Sequence, residues 1–228
     1  MRRPRRTAAA ALALALAIPV LGAPGAPAAR AAAGCRVVAD FAAGQPGEFP
    51  PDWQARDDGA RATYRLAVEN GLRFVRGTAA GTGSQMGHEF EWDLEANPVL
   101  RWRWRPRLFP AGADERDPHR NDSVLAVYVV FGNRVTGTAV KYVWSRAVPA
   151  GTALPSGRAR VIVLRSGAPS GDGWIDESVD VPRDYARLFG EAPRSNPRGV
   201  AVLTDADQTH SRAIGDYGPF QICPPASG

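Results

Sequence analysis

Short stretches in which apolar and polar residues alternate, each closed by glycine, proline or asparagine, run from residue 35 nearly to the end of this 228-residue chain. A period of two sends successive side chains to opposite faces, so it demands extended strands and leaves little room for helices. Tyr64, Leu66 and Val68 alternate with Arg65, Ala67 and Glu69; Asn70-Gly71 follows, then a second run from Leu72. Both turn residues accept positive φ, so the two runs predict a hairpin. Similar runs occupy residues 35–41, 87–92, 123–131, 138–145, 158–167, 173–181, 199–205 and 219–223. One helix is predicted, over 181–190. Pro182 sits in its first turn, Tyr185, Leu188 and Phe189 share a face, and Gly190 stops it. Many strands, one short helix and no alternation of strand with helix predict an all-β fold, an antiparallel β-sandwich of jelly-roll type.

Residues 97–110 alternate tryptophan with arginine. In a strand, Leu100, Trp102 and Trp104 point one way, and Arg101, Arg103 and Arg105 the other. A nucleic-acid clamp needs aromatic and basic groups on one face, so this alternation argues against one. The overall charge agrees. The formal +5 includes Arg2, Arg3, Arg5 and Arg6; without these four it is +1.

Those arginines open a basic segment that is followed by an apolar, alanine-rich run and by Ala26-Pro27-Ala28. The pattern predicts a secretory signal peptide over 1–28, with a cleavage site as late as 34, and no transmembrane segment. A single sandwich domain over 35–228, in the periplasm or secreted, is the expectation. Cys35 and Cys223 are the two cysteines. In an oxidising compartment they predict a disulfide joining the ends of the domain. The rival reading is a lipid-modified Cys35, which its distance from the apolar run disfavours.

Tyr142 and Trp144 share a strand face, as do Trp102 and Trp104. The four rings are candidates for a sugar platform, and core packing is the alternative. Acidic residues follow. Asp114 and Asp122 stand in a loop rich in oxygen ligands and are candidates for ligand binding. Asp205 and Asp207 end an apolar strand and read in three ways: as Ca²⁺ ligands, as partners of sugar hydroxyls, or as caps of a turn. Ca²⁺ is the one cofactor the residues admit; otherwise none is expected. The spacing Asp205-x-Asp207-x-Thr209 resembles a phosphate-transfer nucleophile motif. That chemistry requires a downstream lysine, and none follows.

The segments at 100–106, 112–132, 140–145, 160–167, 184–190 and 199–222, taken in order, resemble an exported bacterial family known as domain of unknown function 3047. The resemblance implies a compact β-sandwich and brings no catalytic residues. A looser similarity, to jelly-roll carbohydrate-binding modules, rests on Asp40, Phe41 and Trp53. The leading expectation is a non-catalytic domain that binds a glycan or another polymer of the cell envelope. The alternatives are a sandwich hydrolase or lyase using paired carboxylates, and a structural protein that binds another envelope protein.

Overall fold

The computed structural model describes residues 34–133, 137–170 and 173–225. The proposed signal segment, 1–28, lies outside the described residues. Two β-sheets face one another. The six-stranded sheet contains β1 (Arg36–Ala39), β3 (Tyr64–Glu69), β4 (Leu72–Ala80), β6 (Val99–Leu108), β11 (Ile175–Asp180) and β13 (Arg212–Cys223). Its order is β11-β6-β13-β4-β3, with β1 also paired to β13. The seven-stranded sheet contains β2 (Gln54–Ala55), β5 (Gly83–Glu89), β7 (Leu125–Phe131), β8 (Thr138–Ser145), β9 (Ala153–Ser156), β10 (Ala159–Ser166) and β12 (Pro197–Asp205). Its order is β2-β5-β12-β7-β8-β10-β9. The chain is thus a β-sandwich, as its periodicity predicts.

Local chemistry explains the elements. Asn70 and Gly71 have φ of 51° and 77°, the left-handed values that a two-residue hairpin between β3 and β4 requires. Helix α2 (Val181–Phe189) starts where the Asp180 carboxylate accepts from the Arg183 N–H at 3.0 Å, and ends at Gly190 with φ 75°. A second helix, α1 (Asp58–Thr63), has no counterpart in the sequence prediction. It is six residues long and holds a glycine, too short for a 3.6-residue period to show. Its N-cap, Asp57, accepts from the Ala60 N–H at 2.9 Å and from the Ser84 hydroxyl at 2.5 Å. One strand pair, β8 with β10, is parallel, made so by the β9 excursion between them.

The core lies between the sheets. Trp102 and Trp104 of β6 meet Tyr142 and Trp144 of β8 across the gap, with centroids 5.6 Å apart for Trp102–Tyr142 and 5.9 Å for Trp104–Trp144. Phe41 stacks on Trp53 at the sandwich edge, at 5.5 Å. Cys35 and Cys223 form the disulfide, with Cα atoms 4.1 Å apart and a sequence separation of 188. Closing so long a loop is worth about 5 kcal/mol as an upper figure, by restricting the unfolded chain.

Two core tyrosines hold the end of β12 in place. The Tyr64 hydroxyl donates to the Ser84 carbonyl at 2.8 Å and accepts from the Thr204 N–H at 2.9 Å. The Tyr217 hydroxyl donates to the Leu203 carbonyl at 2.6 Å. Asp205 follows Thr204 and emerges on the opposite, outer face of the sheet.

Candidate functional site

The strand period that buries Val127, Val129, Val140, Tyr142, Ile162, Val200 and Val202 in the main core sends their neighbours outward. On that outer face Ala126, Val143, Val148, Val161, Val163 and Leu203 form a second apolar cluster, with Tyr128 and Leu154 packed against it. Strand register aligns one row across six strands: Gly87, Ala201, Tyr128, Lys141, Val161 and Leu154. At 4.8 Å per strand the row is about 24 Å long. Its two ends line hollows. Gly87 and Ala201 open one of about 170 Å³, shared with Glu89, Val130 and Arg198. Lys141, Val161 and Leu154 line another of about 370 Å³, shared with Glu115, Asn121 and Ser156. The half-buried ring of Tyr128 stands between the two in the row.

Lys141, the only lysine of the sequence, is 7% exposed. Its ammonium lies 5.6 Å from the centre of the Tyr128 ring. Among the described residues it makes no hydrogen bond and no ion pair. Glu115 reaches onto this face from the preceding loop and accepts from the Ser145 hydroxyl at 2.5 Å and the Ser123 hydroxyl at 3.3 Å. Burial pushes its carboxyl above the usual range, against the pull of those hydroxyls and of Lys141.

Beyond this row, three acids meet at the end of β12. One oxygen from each of Asp122, Asp205 and Asp207 lies within 4.8 Å of the others. Asp122 is fully buried and latches the following turn, accepting from the N–H groups of Gln208 (3.2 Å) and Thr209 (2.9 Å) and from the Thr209 hydroxyl (2.5 Å). Asp205, 9% exposed, accepts from the Asp207 N–H at a long 3.4 Å. Gly83 faces it, and a Cβ there would stand 1.9 Å from its Oδ1, so only glycine leaves the carboxylate room. Oδ1 of Asp207 is buried with no partner among the described residues. Burial, then Asp207 and Asp122, push the Asp205 carboxyl up to about 7, and Lys141 opposes them. Three acids this close need a shared proton or a cation. All the donors are hard oxygens, the chemistry that suits Ca²⁺.

A folded-state pKa above the unfolded value means that the native protein holds an extra proton between about pH 4 and 7. Stability therefore falls as pH rises through that window and is flat above it. Melting curves from pH 4.5 to 8 should show this decline in the wild type and a flatter profile for Asp205→Asn. Identical profiles would contradict the assignment. Calcium chloride at pH 8 should raise the melting temperature of the wild type and not of Asp205→Asn if the ion takes the place of the proton; no rise leaves the proton as the sole solution.

The acid expected at Asp114 is engaged elsewhere. It accepts from the Arg116 guanidinium at 2.8 and 2.6 Å, which holds its carboxyl down at about 2, and it does not line the hollow. Trp102, Trp104, Tyr142 and Trp144 are at most 3% exposed, so none offers a ring face to a ligand. Of the candidate ligand residues, the structure brings only Asp122 together with Asp205 and Asp207.

Among families of known sequence pattern, the one described as protein of unknown function (DUF3047) matches residues 52–221. The chain belongs to this family. No curated protein matches it significantly. Solved structures that resemble this family member include the carbohydrate recognition domain of Emp47p, at 10% identity over 86% of this chain and 99% of that one, TM-score 0.47. TmCBM61, solved with β-1,4-galactotriose, is 11% identical over 78% of this chain and 91% of that one, TM-score 0.39. The non-crystalline cellulose-specific module CBM28 is 10% identical over 90% of this chain and 97% of that one, TM-score 0.37. These likenesses concern the course of the chain and assign it no ligand.

For this family member, sequence reasoning did not count Tyr128, Lys141 or Glu115 among the site residues. A signal was present. Tyr128 and Lys141 are the out-of-phase, polar residues of two otherwise apolar strands, as expected where the outer face of a strand is in use.

Proposed function

We propose that the protein is an exported, non-catalytic binding domain whose outer seven-stranded face takes a glycan or related envelope polymer. The observation that carries this reading is the transverse row, with a half-buried tyrosine standing between two hollows. Sugar rings present apolar C–H faces and rims of hydroxyls. An aromatic ring flanked by Lys141, Glu115, Asn121 and Ser156 offers a partner to both. The row is long enough for several sugar units. Export is supported by the signal-like N-terminus and by the Cys35–Cys223 bond, which persists in an oxidising compartment. Among the described residues no helix is long and apolar enough to cross a membrane. A periplasmic or secreted location fits these features, with envelope polysaccharide as the partner.

Affinity electrophoresis in gels containing soluble polysaccharides tests the reading. The wild type should be retarded by at least one of them. Tyr128→Ala should weaken that retardation about tenfold while its melting temperature stays within a few degrees, since the ring is only half buried. Retardation that is unchanged in Tyr128→Ala would contradict the proposed face. Release of reducing ends from the bound polymer would contradict the absence of catalysis.

A further inference from the structure

We infer that the groove is built for an acidic polysaccharide, with Lys141 holding a carboxylate carried on a sugar ring. This rests on the outer-face reading above and names its ligand class. An ammonium has three donor hydrogens, and a ligand that displaces water from the hollow must supply acceptors for them. Lys141 is more than nine-tenths buried, points into the larger hollow, and has no acceptor among the described residues. The neighbouring charges do not fill the gap. Glu115 is turned to Ser145 and Ser123, Asp205 to Asp207, and Arg116 at the rim is paired with Asp114. Both Glu115 and Asp205 act on Lys141 only at a distance. The hollow therefore presents a cation waiting for oxygen acceptors.

The kind of anion follows from the surroundings. Tyr128 lies directly beside Lys141 in the row, so one sugar unit can lay its C–H face on the ring while a carboxylate attached to the same unit reaches the ammonium. A uronic acid carries its charge in that position. A single lysine is a point charge and can hold one carboxylate without the forked geometry of a bidentate pair. Two carboxyls within Coulomb range also penalise a dianion more than a monoanion. At the far end of the row Arg198 lines the smaller hollow, a second positive group for a chain with repeated charges.

Calorimetric titration of the oxidised, mature protein with polygalacturonate and with its fully methyl-esterified form provides the test, because the two share a backbone and differ at the carboxyl, where a methyl ester replaces the charge. The acid form should bind at least tenfold more tightly, and the difference should shrink on raising salt from 50 to 300 mM. Lys141→Met, which keeps the aliphatic stem, should abolish the preference, so that acid and ester bind this variant within twofold of one another. Equal binding of acid and ester by the wild type, or a Lys141→Met variant that still prefers the acid, would overturn the inference and leave the outer-face reading standing. Lys141-dependent binding that is tighter for dextran sulfate would overturn the carboxylate assignment. No binding to either galacturonate polymer or to neutral β-1,4-galactan would overturn the outer-face reading itself. Should Lys141→Met fail to fold, the wild-type comparison of acid with ester decides alone.

Discussion

Replacing Trp104 with alanine should destabilise the protein by about 3–5 kcal/mol. The ring is fully buried, lies edge-on to Trp102 at 5.3 Å, and faces Trp144 of the other sheet. Its removal leaves a cavity at the centre of the sandwich that flat sheets cannot close by collapse. It also removes the Trp104 Nε1–H donated to Glu177 Oε1 at 2.9 Å, so that the buried Glu177 carboxylate keeps, among the described residues, only Arg165. Arg103, one residue earlier and on the opposite face, is the internal control. Its half-buried side chain meets the exposed Asp176 at 3.3 Å, and a pair with one solvated partner is worth about 1 kcal/mol. Urea denaturation with the disulfide intact should separate the two variants clearly. A Trp104→Ala loss below that of Arg103→Ala would overturn the placement of the tryptophans in the core.

An effect of similar size is expected on the outside of the six-stranded sheet, at Asp216. Its carboxylate is fully buried and serves two guanidinium groups: Arg76 at 2.7 and 3.0 Å, and Arg105 at 3.0 and 2.7 Å. Arg105 also reaches Glu69 at 2.6 Å, and its guanidinium lies 4.5 Å from the centre of the Trp174 ring. The network holds β4, β13 and β6 together through one residue each. Asp216→Ala leaves Arg105, only 3% exposed, with a single half-exposed counter-ion. Breaking one side of a buried ion pair costs about 3–5 kcal/mol, because the remaining charge stays desolvated. Equilibrium denaturation measures it. A loss under 1 kcal/mol would mean that water or Glu69 replaces Asp216 at no cost.

The sandwich was legible because alternation is a local code. Asn70-Gly71, the Trp-Arg stretch and the cap of α2 each specify their own conformation within a few residues. The disulfide was legible from the placement of its two cysteines together with the signal-like N-terminus, which points to an oxidising compartment. Alternation tells which residues share a face, but not which face the other sheet covers. Trp102 with Trp104 and Tyr142 with Trp144 were each correctly paired on a face; that the two pairs close on one another follows only from their strands lying in opposite sheets. The same gap hid the outer row. Tyr128 and Lys141 become neighbours of Ala201 and Val161 through long-range pairing, including the parallel β8–β10 pair that no hairpin signal announces. The acids divided for a related reason. Asp205 and Asp207 were visible as a local motif, whereas Asp122 joins them from more than eighty residues away by accepting from the Gln208 and Thr209 N–H groups. Asp114, from the same loop, turns back to Arg116 two residues on.

The location of the ligand face is tested most directly by amide chemical-shift mapping of the oxidised protein during titration with β-1,4-galactohexaose and with a galacturonate hexamer. The account predicts saturable shifts for at least one of the two, concentrated at Gly87, Tyr128, Lys141, Ser156 and Ala201, with little change at β13 or β4. Saturable shifts centred instead on the cleft lined by Phe41, Pro51 and Trp53, or on the arginine face of β6, would contradict it.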